Sequence, residues 1–90
     1  MYSIDFDQKV QKVMAKWKKS NPTLFKKLGK ILIAIQEDPR HGIGHPEPLV
    51  GGGGITYSRH ITAHHRIIYD IYEAEIHVLI IELEGHYGDK

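Results

Sequence analysis

The apolar residues of this chain repeat at helical spacing before residue 38 and at strand spacing after residue 54. One helical stripe follows Asp7, which can cap a helix, and a second follows Asn21, where Pro22 in the first turn is a typical start signal. The stripes consist of Phe6, Val10, Val13, Met14 and Trp17, and of Leu24, Phe25, Leu28, Ile31, Leu32 and Ile35. Asp38 and Pro39 end the second stripe. The pattern predicts two antiparallel helices joined by a tight turn.

The rest of the chain is predicted to form strands. Residues 2–6 precede the helices as a short strand, and three β-rich runs follow at residues 55–62, 65–72 and 76–83, with links short enough for consecutive hairpins. The last run is nearly continuous apolar, as expected for a strand covered on both faces. This order predicts one α+β domain over residues 1–90, in which two helices pack on a mainly antiparallel sheet that ends in a three-stranded meander.

The segment between the helices and the meander, residues 40–54, is rich in Gly, Pro and His and is predicted to be a loop. A loop of about fifteen residues is long for a compact domain, and such loops are commonly functional or mobile. Pro48 confines Glu47 to an extended backbone, so this carboxylate is held at little entropic cost; the alternative is an ordinary surface acid. The glycines 51–54 lack the Lys and Ser/Thr of a phosphate-binding loop.

The net charge of +1 conceals a segregation of charge along the chain. Lysines dominate the first third and carboxylates the last, an asymmetry that can guide a polyanion to one side of a small protein. Lys9, Lys12, Lys16 and Lys19 lie off the apolar stripe of the first helix and are predicted to form its basic outer face. This face either contacts RNA or is simply a solvated helical surface.

The composition also limits the setting and the chemistry. The absence of cysteine rules out a disulfide framework or a thiolate metal site. No apolar run is long enough to span a bilayer, and the N-terminus lacks the features of a signal peptide, so we expect a cytoplasmic protein. Seven histidines suggest metal binding, but the sequence has no HExxH motif. We therefore expect no metal and no cofactor, with a metal-dependent nuclease as the lesser alternative.

Five residues carry the groups that are needed to cleave an RNA phosphodiester without a metal. They are Glu47, Arg59, Arg66, His86 and Tyr87. A carboxylate can take the 2′-OH proton, guanidiniums can hold the charged phosphorane, and an imidazolium can protonate the leaving 5′-oxygen. On adjacent strands, the two arginines are predicted to converge on one phosphate. Alternatively, they form ion pairs with Asp70 or Glu73, or Arg59 snorkels at the sheet edge.

Four short segments resemble motifs of the YoeB/Txe toxins of bacterial type II toxin–antitoxin modules, within the RelE superfamily of ribosome-dependent mRNA interferases. Residues 44–49 (GHPEPL) resemble the family's GKPEPL, residues 57–62 (YSRHIT) its WSRRIT, residues 65–69 (HRIIY) its HRLVY, and His86-Tyr87 its closing HY. The segments keep the family's order over essentially the full length. The chain departs from the pattern at His60, where the family has a basic residue, at His64, where it has Glu, at the glycines 51–54, and in the tail 88–90.

The resemblance implies a role for each matching residue. Glu47 stands at the family's general base, Arg66 at its phosphate-stabilising arginine, His86 at its general acid and Tyr87 at an assisting aromatic, and Arg59 matches an arginine used around the phosphate. The resemblance further implies cleavage of mRNA in the ribosomal A site without a metal. The lysine-rich helix would then face ribosomal RNA, whose phosphates favour such a surface.

The resemblance also implies partners. It implies a cognate Phd/YefM-like antitoxin whose C-terminal segment wraps the toxin, contact with operator DNA only through that complex, and an assembly that can include a homodimer. No membrane partner is expected. The alternative from another class is a RelE-fold protein that binds without cutting, either directed at gyrase or acting as a corepressor with its antitoxin. Such relatives generally lack the Glu and the terminal His-Tyr that this chain has.

Overall fold

The computed structural model of the chain describes residues 1–85. Its elements are β1 (Ser3–Phe6), α1 (Gln8–Ser20), α2 (Pro22–Glu37), β2 (Glu47–Pro48), β3 (Thr56–Thr62), β4 (His65–Tyr72) and β5 (His77–Gly85), with one 3₁₀ turn (Glu73–Glu75) between β4 and β5. The strand–helix–helix–meander order predicted from the sequence is confirmed. Neither helix within residues 1–85 is long and apolar enough to cross a membrane.

Side-chain caps explain why both helices begin where the sequence predicts. The Asp7 carboxylate accepts a hydrogen bond from the Lys9 backbone N–H at 2.9 Å and caps α1. Asn21 serves both helices: its N–H donates to the Trp17 carbonyl at 2.8 Å, and its side chain accepts from the Leu24 N–H at 3.2 Å. One residue therefore ends α1 and begins α2. Its N–H pairs with a carbonyl in the last turn of α1, and its side-chain oxygen pairs with an N–H that the first turn of α2 leaves unpaired.

The five strands form one sheet in the order β1-β5-β4-β3-β2. The β1–β5 pair is parallel and all other pairs are antiparallel, so the predicted meander of β3, β4 and β5 is confirmed. The prediction of an uninterrupted loop over residues 40–54 is wrong at β2, where Glu47 pairs with Ser58 and Pro48 with Tyr57. The extended backbone that prolines impose at this position lets Glu47 join the sheet edge.

Both helices pack on one face of the sheet, called here the helix face, and the opposite side is called the open face. The core on the helix face consists of Val10, Trp17, Leu24, Leu28, Ile31, Ile35, Ile61, Ile67, Tyr69, Ile71, Val78 and Ile80. The expectation that β5 is covered on both faces is only half correct. Val78 and Ile80 are fully buried, whereas Leu79 and Ile81 are only half-buried because the helices lie on the other side.

Candidate active site

The strand register brings Glu47 and Arg66 onto the open face of the sheet. Glu47 lies opposite Ser58, and two residues further along β3 His60 lies opposite Arg66. Residues that are directly opposed in an antiparallel pair share a face, as do residues i and i+2 of one strand. Two strand spacings of about 4.8 Å and two residues of about 3.4 Å separate the two positions. A nucleotide between them is therefore within reach of both side chains.

Arg66 is partly exposed and is paired with a carboxylate of the neighbouring strand. Its Nε donates to Oε1 of Glu84 at 2.7 Å, and the two residues are directly opposed in the β4–β5 register. The ion pairs considered from the sequence, with Asp70 or Glu73, are not those that form. Asp70 accepts instead from the Thr56 hydroxyl at 2.6 Å, and Glu73 pairs with Arg40 at the same distance. The Arg66 guanidinium thus sits at the open face with Glu84 as a competitor for any phosphate.

A cavity of about 260 Å³ opens beside Arg66 and is also lined by His60, Ala63 and His65. The His65 ring is fixed from two sides, because Nδ1 lies 2.8 Å from the Thr62 hydroxyl and the ring stands edge-on to Trp17 at 5.5 Å. Gly85, the last residue of β5, lies opposite His65 in the register, so the strand ends beside this cavity. The predicted general acid His86 and the predicted aromatic Tyr87 lie outside the described residues.

Arg59 does not lie at the candidate active site, and the prediction that it converges with Arg66 on a phosphate is wrong. Arg59 is opposite Ile67, a core residue of the helix face, and is only 1% exposed. It does not snorkel at the sheet edge either. Its guanidinium donates to the Tyr69 hydroxyl and to three backbone carbonyls, those of Asp38, His41 and Ile43. The two arginines therefore point to opposite sides of the sheet.

Two histidines that the sequence analysis did not assign to the site lie on the same side as Glu47 and Arg66. The rings of His45 and His60 are 6.4 Å apart in an edge-to-face arrangement, and the His60 N–H donates to the Gly44 carbonyl at 2.7 Å. His45 has a φ of 53°, which is uncommon for a residue other than glycine. The strand alternation that separates Arg59 from its neighbours would have identified His60; nothing in the sequence signals the position of His45.

The four lysines predicted to bind RNA form a separate basic surface. Lys9, Lys12, Lys16 and Lys19 are all exposed on α1, which packs on the helix face, so they do not belong to the group formed by Glu47 and Arg66. The predicted basic outer face of the helix is therefore present. Within residues 1–85, His, Asp and Glu side chains form no group of three or more that could hold a metal ion.

Comparison with known proteins identifies the family. The family profile described as "YoeB-like toxin of bacterial type II toxin-antitoxin system" matches residues 6–87. Toxin YoeB of Synechocystis is 35% identical over 71 residues, which are 79% of this chain and 80% of that protein. The YoeB/ParE toxin from Agrobacterium tumefaciens has a TM-score of 0.84 at 25% identity and covers 94% of this chain and 99% of its own.

Structures of related toxins, alone and in complexes, extend the likeness. A YoeB–YefM complex from Staphylococcus aureus has a TM-score of 0.81 at 27% identity and covers 97% of this chain and 99% of its own. A YoeB dimer from that organism has a TM-score of 0.82 at 26% identity and covers 96% of this chain and 98% of its own. The isolated RelE toxin of Escherichia coli, at 24% identity and a TM-score of 0.73, shares the fold and covers 94% and 84%. The predicted RelE-like α+β fold is confirmed, and the chain belongs to the YoeB-like toxin family of bacterial type II toxin–antitoxin systems.

Proposed function

We propose that this toxin is a ribosome-dependent mRNA endoribonuclease that cleaves by acid–base catalysis without a metal. The observation that carries the proposal is the register that brings Glu47, His60 and Arg66 to one open face, beside the end of β5. A carboxylate and a guanidinium on one face of the sheet can serve the attacking hydroxyl and the phosphate at the same time. The membership of the chain in a family of toxins that are generally endoribonucleases supports the same reaction.

In the proposed mechanism, Glu47 removes the proton from the 2′-hydroxyl and the resulting O2′ attacks the adjacent phosphorus. Arg66 holds the negative charge of the phosphorane on its non-bridging oxygens, a charge-assisted contact for which a guanidinium is well suited. The P–O5′ bond then breaks, and His86 gives its proton to the leaving 5′-oxygen. The products are a 2′,3′-cyclic phosphate, which can open to a 3′-phosphate, and a 5′-hydroxyl. Tyr87 orients a base or the phosphate.

The burial of Arg59 changes which groups are available to neutralise the charge of the substrate phosphate. Since Arg59 is buried, we place His60 beside Arg66 in the role of a second contact to the phosphate or its neighbouring ribose. The basic surface of α1, composed of Lys9, Lys12, Lys16 and Lys19, is proposed to contact ribosomal RNA while the open face takes the mRNA. Within residues 1–85 no helix packs on the open face, which fits an enzyme that acts on mRNA held by the ribosome.

The partners proposed for this chain are inferred from the complexes that related toxins form. The YoeB–YefM complex from Staphylococcus aureus supports a Phd/YefM-like antitoxin for this chain, and the YoeB dimer from the same organism supports a homodimer. We propose that operator DNA is contacted only through the antitoxin complex, and that the toxin acts in the cytoplasm as a single domain over residues 1–90. A toxin that binds without cutting is the second candidate, because Glu84 already pairs with the arginine that would hold the phosphate.

The test is primer extension on a defined mRNA incubated with purified toxin in excess chelator, with and without ribosomes. We expect cuts at A-site codons only with ribosomes, lost by at least a hundredfold in Glu47→Ala and in His86→Ala, as about 10²–10⁴ is typical for a general acid or base. Glu75→Ala makes the same residue change as Glu47→Ala at an exposed position away from the site and should cut normally. Cuts that require a metal would refute the mechanism, and intact mRNA under all conditions would favour the binding-only toxin.

A further inference from the structure

Arg59 is the most fully buried charged residue among residues 1–85, and its contacts are unusual. None of the ion pairs within that range includes Arg59, so no carboxylate of residues 1–85 is paired with it. Instead its Nε donates to the Tyr69 hydroxyl at 3.0 Å, and its Nη atoms donate to backbone carbonyls of the segment that leads from α2 to β2. The acceptors are Asp38, His41 at 2.8 Å and Ile43 at 3.1 Å. A buried guanidinium is tolerated only when its N–H donors are paired. Because moving these carbonyls away would leave buried donors without acceptors, Arg59 holds the carbonyls in place.

Tyr69 extends this network to a fourth carbonyl. Its hydroxyl accepts from Arg59 and donates to the Pro39 carbonyl at 2.7 Å. Burial raises the pKa of Tyr69, so the hydroxyl retains the proton that this donation needs. Four carbonyls between residues 38 and 43 are therefore fixed from the helix face by one arginine and one tyrosine.

The fixed segment runs directly into the residue proposed as general base. Gly44 packs so closely on β3 that a Cβ there would lie 2.6 Å from the His60 carbonyl oxygen, and its own carbonyl accepts from the His60 N–H. His45 and Pro46 then lead to Glu47, whose strand pairs with β3 at Ser58. Between residues 38 and 48, the backbone is thus attached to β3 on the helix face through Arg59 and at the edge of the sheet through the pairing of Glu47 with Ser58.

We infer that Arg59 and Tyr69 are positioning residues of the active site, which set the place of Glu47 through the backbone of residues 38–46 without touching RNA. The inference rests on the proposed role of Glu47. It assigns Arg59 a task on the opposite face from the substrate: the guanidinium selects one path for a Gly- and Pro-rich segment that has little secondary structure of its own. Misplacement of a catalytic group by about 1 Å can cost about a hundredfold in rate, so a loss of this anchoring would be visible in catalysis.

The test uses Tyr69→Phe, because the ring stays in the core while the hydroxyl that links Arg59 to Pro39 is removed. Tyr72→Phe is the matched control: it lies on the same strand but is exposed, and its hydroxyl makes only a 3.4 Å contact with Asp70. On ribosome-bound mRNA we expect Tyr69→Phe to lower kcat by about ten- to a hundredfold with KM within twofold, and Tyr72→Phe to leave both unchanged. Tyr69→Phe that cuts like the wild type would overturn the inference.

A double mutant separates positioning from a general loss of structure. In the Glu47→Gln background, Tyr69→Phe should cause no further loss of cleavage, because the group through which it acts is already absent. An undiminished further loss would mean that the tyrosine acts by another route, and the inference would be wrong. Leu24→Ala, a core change in the first turn of α2 at the opposite end of that helix from residue 38, serves as a comparison for simple destabilisation.

A measurement without RNA keeps the inference testable if the proposed activity fails. Amide hydrogen exchange of the isolated toxin should be faster in Tyr69→Phe at residues 40–48 and unchanged in β4 and β5, since the substitution removes the hydrogen bond to the Pro39 carbonyl but none of the backbone hydrogen bonds between those strands. Wild-type toxin that never cleaves mRNA would refute the proposed function while leaving this result valid. Unchanged exchange in residues 40–48 would show that the network does not hold the segment, whatever the activity.

Discussion

Arg66 and Glu84 face each other across β4 and β5, with Nε of the guanidinium 2.7 Å from a carboxylate oxygen. Glu84 is the more buried of the two, with 19% of its side chain exposed against 39% for Arg66. A carboxylate in this place orients the guanidinium toward the open face, and it also competes with phosphate for the same donors. An RNA phosphate that binds Arg66 must therefore displace or share an existing partner.

Removal of the Glu84 charge is expected to tighten the binding of RNA. Glu84→Gln keeps the size of the side chain but no longer neutralises Arg66, so we expect KM for ribosome-bound mRNA to fall by about two- to fivefold, the range of a partly exposed ion pair. Glu82→Gln removes a charge from the same strand opposite Ile68 rather than Arg66, and should change KM less. A higher KM in Glu84→Gln would mean that the carboxylate orients the arginine more than it competes.

A permanent positive charge at position 60 is expected to strengthen the binding of substrate. His60→Arg places a permanent positive charge directly opposite Arg66, so KM at pH 7 should fall by about two- to fivefold, and the urea midpoint should fall slightly, since like charges on opposed residues cost about 0.2–1 kcal/mol. Glu75→Gln raises the net charge by the same one unit in the exposed 3₁₀ turn, away from the cavity beside Arg66. An equal fall of KM in both variants would indicate a general effect of net charge and no contact with the substrate.

The helices could be predicted from the sequence because their signals are local. Asp7 and Asn21 cap helices from adjacent positions in the chain, and the apolar stripes repeat within a few turns. The two-residue strand at Glu47 was missed because its existence depends on pairing with Ser58, a contact that no local pattern records. Tertiary pairing of this kind is where local reasoning commonly fails.

The position of Arg59 also depends on contacts that local sequence patterns do not record. Alternation with Tyr57 and Ile61 along β3 puts Arg59 on the helix face, yet an arginine is rarely buried without a charged partner, and this general rule favours an exposed role. The groups that make its burial possible are backbone carbonyls at residues 38–43 and the Tyr69 hydroxyl, all distant in sequence. Arg66 is easier to place, because its side of β4 follows from the strand period alone, whereas the side on which Glu47 lies depends on the pairing with Ser58.

Two glycine-to-alanine substitutions are expected to change stability in opposite directions. A Cβ at Gly85 would lie 2.5 Å from Cδ2 of His65, a ring held by Thr62 and Trp17, so Gly85→Ala should lower the free energy of unfolding by about 1–3 kcal/mol. A Cβ at Gly29, inside α2, meets no atom within 4 Å, so Gly29→Ala should raise it by about 0.5–1 kcal/mol. Urea denaturation measures both, and equal midpoints would contradict the packing of His65 against β5.

The contacts of Glu73 predict a pH dependence of stability. Its carboxylate accepts a hydrogen bond from the Tyr2 hydroxyl and another from Arg40, both at 2.6 Å, and these contacts lower the pKa of Glu73 below its ordinary value of 4.5. A lowered pKa in the folded state means that the contribution to stability is complete above the unfolded value and is lost as the pH falls through the folded value. The exposure of the pair keeps this contribution small.

The comparison of the wild type with Glu73→Gln isolates this contribution. Urea midpoints should differ most between pH 6 and 7, and the difference should shrink below about pH 4.5 as Glu73 becomes protonated in the wild type. The backbone N–H of Arg40 also lowers the pKa of Asp38, but Asp38 is present in both proteins and cancels from the difference. Glu75→Gln, in the same 3₁₀ turn, should follow the wild type throughout. A difference that stays constant from pH 7 to pH 3 would show that Glu73 does not stabilise the fold through its charge.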